Sequence, residues 1–407
     1  MAFFLNSTIL ISMAGVLFWL FRPGLRGSDT WRATLTPLAS IIGSGFLVVA
    51  PLLSYAVGDW SIVAMLGIVL LAYGIGWVIR FNIRSLSTAE PKTSFQIQWL
   101  EHASKLALSL AYLISIAFYI RLLASFVMHA FGLETQGYLA DGLATLCLLG
   151  IGLTGLIHGL RGMEFAEEIA VSVKLSIIAG LLIGLAGYQW QQPAAIFTLP
   201  SGAIEAPIHT LRILAGMLLV VQGFETSRYL GSAYSPEHRI QTMKHAQWLS
   251  GAIYVVFVWL SHPLLPDGGR PPSETAIITM SQHVSLILPV LLTIAAVMSQ
   301  FSAAVADTAG FGGLFREALR RPRGEQAGYV VAISISIALI WSINLFAIIA
   351  LASRAFALYY LSQCLTAWQL AGQIRHTTRR RLLRTAFTGL AFILALVVIF
   401  AVPAESV

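Results

Sequence analysis

Two short stretches carry the residues best suited to chemistry. Ile41-Ile42-Gly43-Ser44-Gly45-Phe46-Leu47 sets two glycines around a serine inside an apolar run. Leu218-Leu219-Val220-Val221-Gln222-Gly223-Phe224-Glu225 sets an amide, a glycine and a carboxylate inside another. Glycine in a helix interior costs about 1 kcal/mol relative to alanine, so each stretch is a point where a helix can unwind. Unwinding exposes backbone groups that have no partner within the helix. The half-helix beginning near Gly45 would present N–H groups and a partial positive charge, suited to a carboxylate. The carbonyls of Ile41 and Ile42, and those of Gln222 and Gly223, suit an ammonium. An α-amino acid carries both groups a short distance apart. The competing reading of Gly43 and Gly45 is a small-residue groove that lets helices approach closely.

Other polar side chains fall among apolar neighbours. Glu225 either takes a proton, holds the broken backbone together, or pairs with Arg228 three residues on. Lys174 lies about 9 Å along its helix from Glu168, and a lysine at that depth can also snorkel to the headgroups. Ser299 and Ser302 share a helix face, and Asp307 follows as a counter-ion for Lys174 or an interfacial residue. Tyr112, Ser115 and Tyr119 share one face of their helix, and Arg121, Ser125 and His129 another. Arg121 either snorkels or favours anionic substrate groups; Arg354 is comparably deep, with no partner legible in the sequence. No HExxH, acidic metal cluster or P-loop occurs, which argues against a bound metal, a cofactor or ATP as energy source. No nucleophile–base set suggests an enzyme. Cys147 and Cys364 lie in apolar stretches and read as inert core thiols.

These residues must be positioned by helices in lipid. Only 11% of the 407 residues are charged and 57% are hydrophobic, against about 25% charged in soluble domains. Mean hydropathy is +0.80. A cytosolic enzyme, a secreted disulfide scaffold and a disordered chain are excluded. The net charge of +7 sits in short loops, where it sets topology and meets anionic lipid, so nucleic acid is not the expected partner. Runs of roughly 20 apolar residues mark bilayer crossings. Twelve are expected: Phe3–Phe21, Leu35–Val57, Ser61–Phe81, Ala103–Phe131, Tyr138–Ile157, Ile169–Trp190, Ile208–Leu230, Ala246–Leu265, Val284–Ala309, Gly328–Ile343, Leu345–Leu370 and Ala386–Val402. The first reads as a span and not a signal peptide, because no basic residue precedes it and no small-residue cleavage site follows. Arg22, Arg26 and Arg32 after it place that loop in the cytoplasm and the N-terminus outside. Alternating the loops puts Arg80, Arg84, Lys92, Arg161, Arg239, Lys244, the arginines at 316–323 and those at 375–384 inside, and only Arg270 outside. Both termini are then non-cytoplasmic.

The two interrupted spans are the second and the seventh, and they run in opposite directions. That is the pattern of an inverted five-helix repeat, each half opening with a discontinuous helix. The boundaries expected are 1–32 for an extra helix and linker, 33–190 and 206–372 for the repeats, and 373–407 for a basic loop and last helix.

Ile-Gly-Ser-Gly-Phe-Leu at 42–47 resembles the first core helix of the amino acid–polyamine–organocation (APC) permeases. Gly223-Phe224-Glu225 with Tyr234-Ser235-Pro236-Glu237-His238-Arg239 is similar to that family's sixth core helix and the loop after it. The extra N-terminal span departs from the common family layout. So does the replacement of a bulky aromatic near the second break by Leu219, Val220 and Val221, with only Phe224 after the glycine. The resemblance implies an all-α membrane protein with a five-plus-five inverted-repeat (LeuT-like) transporter core, to which one extra N-terminal and one extra C-terminal helix bring the total to twelve transmembrane helices. It implies substrate contacts from Ile41, Ile42, Gly43, Ser44, Gly45, Tyr119, Gln222, Gly223 and Phe224. It also implies that Lys174 fills the place of a coupling cation between the first, fifth and eighth core helices, with Glu225, Ser302 and Asp307 nearby. The expected function is secondary transport of amino acids or related amines in a bacterial inner membrane, coupled to protons or running as exchange. The alternatives are another small organic ion, such as a nucleobase or organic anion, and a non-transporting sensor or scaffold.

Overall fold

The computed structural model describes residues 2–43, 45–88, 95–133, 136–191, 207–230, 234–265, 275–319, 324–343 and 345–401, and every regular element among them is helical. In chain order these are α1 (Ala2–Leu20), α2 (Pro23–Arg26), α3 (Asp29–Ile41), α4 (Phe46–Val57), α5 (Ser61–Thr88), α6 (Phe95–Ala130) and α7 (Gly137–Trp190). Then come α8 (Pro207–Gly216), α9 (Pro236–Ser261), α10 (Ala276–Ser281), α11 (Leu288–Leu319), α12 (Gly324–Ser342), α13 (Leu345–Gly372) and α14 (Thr377–Phe400). Ser44 and the loop residues Lys92, Arg270, Arg320, Arg321 and Arg323 lie outside the described residues.

Local sequence explains the helix ends. Ser28 caps α3 by accepting from the Trp31 N–H, and Ser235 caps α9 with Pro236 at the first helical position, the residue types that satisfy or lack an orphan donor. Gly58, at φ +52°, turns α4 into a short 3-10 segment before α5. Several helices outrun their apolar runs. α9 begins at Pro236 rather than Ala246, and α11 continues to Leu319 rather than Ala309. Backbone hydrogen bonding persists past the lipid boundary, where hydropathy gives no signal. α7 contains both the fifth and sixth expected spans, with non-helical backbone at Gly159 (φ 60°, ψ −153°) between them.

By length and composition, seven helices among the described residues can cross a membrane. These do not map one for one onto the twelve expected runs: Phe46–Ser87 takes in α4 and α5 together, α1 contributes only the shorter apolar helix Phe4–Leu20, α3 and α8 stop at the breaks, and α9 and α13 are not among the seven. α3, α4 and α8 have 13, 12 and 10 residues, too short alone. α6 packs against α11, α12 and α13; α3 packs against α9 and α11; α5 packs against α9. α1 lies along the second half of α7, where Gly180, Gly184 and Gly187 face Ile9 and Leu5. That is a small-residue groove of the kind that lets helices meet in lipid. The broken helices are therefore enclosed by α5, α6, α9, α11 and α13.

Candidate functional site

α3 ends at Ile41, and α4 starts at Phe46 with Gly45 as its N-cap, so helical backbone is interrupted over the intervening residues. Three successive carbonyls at this break, from Ile41 to Gly43, meet side chains from neighbouring helices. Ile41 O accepts from Tyr254 Oη at 2.9 Å, Ile42 O from Ser299 Oγ, and Gly43 O from Gln300 Nε2 at 2.9 Å. One turn earlier, Ala39 O accepts from Lys174 Nζ at 2.7 Å. The sequence reading left the Ile41 and Ile42 carbonyls for a substrate ammonium. Here protein donors occupy one acceptor position on each, because a carbonyl left unpaired in a dry core costs roughly 1–3 kcal/mol. A second lone pair remains on each oxygen.

The second break follows the 3-10 turn Met217–Val221, and the chain resumes as 3-10 over Phe224–Tyr229. Gly223 adopts φ +121°, a conformation that disfavours any side chain. A Cβ there would lie 2.5 Å from Ser40 Oγ and 2.7 Å from Ile41 N. A Cβ on Gly45 would lie 2.9 Å from Val220 Cγ2, and one on Gly43 2.5 Å from Ala303 Cβ. The glycines thus serve close approach of the two breaks to each other and to α11. Packing and unwinding are satisfied together. Tyr254 joins the breaks directly, since its hydroxyl also reaches Val220 O at 2.8 Å.

Glu225 is fully buried. Its Oε2 accepts from the Gly223 N–H at 2.9 Å and from Tyr360 Oη at 2.7 Å. It therefore closes its own break. The i,i+3 pairing with Arg228 does not form: Arg228 Nη2 instead meets Glu101 Oε2 at 2.5 Å, and Nη1 meets Gln363. Gln363 also bonds Ser104 and Asn82, joining α5, α6, α13 and the 224–229 segment at one end of the site. Phe224 stacks on Tyr360, with centroids 5.4 Å apart and planes at 11°. Gln222 Nε2 donates to Tyr119 Oη at 2.5 Å.

Lys174 is fully buried, so it does not snorkel. Besides Ala39 O, its ammonium donates to Ser302 Oγ at 2.9 Å, and Ser302 Oγ donates to Ser299 O at 3.0 Å. This lysine on α7 therefore ties α3 to α11. Asp307 is not its counter-ion in this arrangement. Its carboxylate accepts from Ser115 Oγ and, at 3.5 Å, from Ser40 Oγ. Arg121 turns away from the breaks, pairing with Asp141 at 3.2 Å and donating to the carbonyls of Ile340 and Ile343. Arg354 Nη2 reaches Ala401 O at 3.5 Å.

The structure thus gathers Ile41, Ile42, Gly43, Gly45, Tyr119, Gln222, Gly223, Phe224, Glu225, Lys174, Ser302 and Asp307 around two adjoining breaks. Tyr254, Gln300 and Tyr360 belong with them and escaped sequence reading. Tyr254 and Tyr360 are single polar atoms in apolar runs, and nothing in the spacing points them at a distant carbonyl. Among the buried acceptor atoms that lack a hydrogen-bond partner in the described residues are Gln222 Oε1, Gln300 Oε1 and Glu225 Oε1. They flank the breaks, and a bound group with N–H donors would satisfy them.

Comparison with known proteins follows the same lines. A protein of Aquifex aeolicus (strain VF5) named only as uncharacterized is 44% identical over 403 residues, covering 96% of each chain. Among solved structures, MhsT in complex with L-phenylalanine is 15% identical with a TM-score of 0.62, covering 90% of this chain and 98% of that one. MHP1, a nucleobase-cation-symport-1 family transporter, is 14% identical with a TM-score of 0.54, covering 91% of both chains. A Na+-coupled sialic acid symporter is also 14% identical with a TM-score of 0.54, covering 98% of both. These likenesses establish the shared LeuT-type fold. The family described as APC superfamily transporter matches residues 23–401, and the chain is accordingly a member of that transporter family and an integral membrane protein.

Proposed function

We propose that the chain is a secondary transporter of an amino acid or related small amine, working by alternating access and either proton-coupled or exchanging. The observation that carries the substrate class is the set of unpartnered acceptors Gln222 Oε1, Gln300 Oε1 and Glu225 Oε1 beside the two breaks. An ammonium brings three donors to such a set. The N-terminus of α4 supplies the complementary place for a carboxylate. The remaining lone pairs of the Ile41 and Ile42 carbonyls, with Gly43, Ser44, Gly45, Tyr119, Gly223 and Phe224, complete the substrate surroundings in this reading.

Coupling is assigned to Lys174, Ser302, Asp307 and Glu225. The Lys174 ammonium bridges α3 and α11 where a bound cation would otherwise do so, and loss of its proton would remove that charge. Twelve crossings with both termini outside a bacterial inner membrane follow from the loop charges.

The test is uptake and counterflow in proteoliposomes across a panel of amino acids, polyamines and nucleobases, with and without a pH gradient. Saturable transport of an amine is expected. Transport of nucleobases alone, or of no panel member, overturns the amine assignment. Labelling of a single cysteine at Ser7 by an impermeant reagent in intact cells checks the orientation.

A further inference from the structure

A cleft of about 740 Å³ opens between α13 and the first half of α14, away from the two breaks, and is lined by Trp368, Arg380, Arg381, Arg384, Thr385 and Thr388. The Arg384 guanidinium lies 3.4 Å over the Trp368 ring, a contact that fixes its plane while leaving its charge uncompensated. Its Nε is buried and has no hydrogen-bond partner among the described residues. No acidic side chain pairs with Arg380, Arg381 or Arg384 among those residues. Arg380 and Arg381 also sit about one turn into α14, at the helix end where the dipole adds positive potential rather than offsetting it. The described residues therefore supply no anion to a site built from three guanidinium groups and two hydroxyls.

The depth of the cleft narrows what that anion is. Arg384 lies about 24 Å along α14 from Phe400, at 1.5 Å per residue. A hydrocarbon core about 30 Å thick then puts its head near the boundary of acyl chains and headgroups. Beside the cleft, Leu382 is 71% exposed, and Phe392, Leu396 and Ile399 continue an outward apolar face. The mouth is basic and the side is greasy. A phosphodiester matches the first and its acyl chains the second. We propose that this cleft binds the phosphate of an anionic phospholipid, whose chains lie along the outer face of α14.

The experiment uses the full-length protein, delipidated in detergent and read by native mass spectrometry. It is supplied with phosphatidylglycerol, phosphatidylcholine or inorganic phosphate. Phosphatidylglycerol should be retained at one high-affinity site and phosphatidylcholine should not. The double variant Arg381→Gln with Arg384→Gln should weaken retention about 30-fold, the factor expected for two basic groups at an anionic surface. Arg375→Gln with Arg379→Gln removes equal charge outside the cleft and should change retention less than about threefold. Equal losses in the two doubles would mean diffuse surface attraction and overturn the site. Unchanged retention in the first double would do the same. Displacement of the lipid by inorganic phosphate at matched concentration would assign the cleft to a free anion and overturn the lipid. Should the first double fail to fold, Arg380→Gln alone is read, with about a fivefold loss expected and no loss counting against the site.

Discussion

The two helix breaks look alike in sequence and differ in how they are held. At the first, three successive carbonyls from Ile41 to Gly43 are bonded by Tyr254, Ser299 and Gln300, from α9 and α11. Its shape is imposed by neighbours. At the second, Glu225 bonds the Gly223 N–H two residues away, and Thr226 Oγ1 donates to Gly223 O at 2.7 Å. Its shape is largely self-made, with Tyr360 added from α13. Two of the three unpartnered acceptors, Gln222 Oε1 and Glu225 Oε1, belong to this second break. A break held from outside moves when its neighbours move. A break held from within can carry open acceptors to a ligand and stay intact.

The largest effect expected is at Gly223. Gly223→Ala puts a methyl on backbone at φ +121° and against Ser40, so strain and clash combine. Uptake should fall at least ~100-fold with the protein still inserted, since strain of 1–3 kcal/mol accounts for only part of the loss. At the first break the obstacle is a neighbour and not the backbone alone. Gly43→Ala should therefore be partly rescued by Ala303→Gly, which removes the methyl 2.5 Å from the added Cβ. Equal rescue at both breaks, or normal affinity in Gly43→Leu and Gly45→Leu, would erase the distinction.

Next in size is Lys174→Ala, which cuts the link from α7 to both α3 and α11. Transport should drop roughly 10- to 100-fold, the range of a charge-assisted bond lost from a buried site. The remaining activity should be slow exchange without pH dependence. The parent protein should transport equally in sodium or choline. A strict sodium requirement, or unaltered pH dependence in the variant, would falsify the coupling role.

Smaller effects should separate the acceptors. Gln222→Leu is expected to raise KM about tenfold and Gln300→Leu somewhat less, because Gln300 also holds Gly43 O and part of its effect falls on stability. Measured KM and unfolding temperature for the pair decide this; a reversed order would make the first break the ligand-bearing one. Smallest is Tyr254→Phe, which removes the one hydroxyl proton that Ile41 O and Val220 O share. At about 1 kcal/mol for one net bond, it should lower the apparent unfolding temperature by a few degrees and shift KM less than about threefold.

Much of this arrangement was legible in the sequence. Apolar runs of bilayer length can only be helices, because lipid leaves backbone groups no partner outside the segment. Glycine beside polar residues inside two such runs marked the breaks. Lys174 and Glu225 stood out because ionisable groups at membrane depth are costly and rarely accidental. What tertiary structure decided is who answers each exposed backbone group. The Glu225–Arg228 pair was a correct statement about helix geometry, but the Gly223 N–H and Tyr360 take the glutamate, and Glu101 from α6 takes the arginine. Asp307 stood as a possible partner for Lys174, yet Ser40 and Ser115 take it. Tyr254 gave no local signal at all, although its hydroxyl joins residues 213 and 34 positions away. Periodicity and composition report which groups a chain must bury. The partner of each buried group is fixed by contacts between distant segments, which no local pattern encodes.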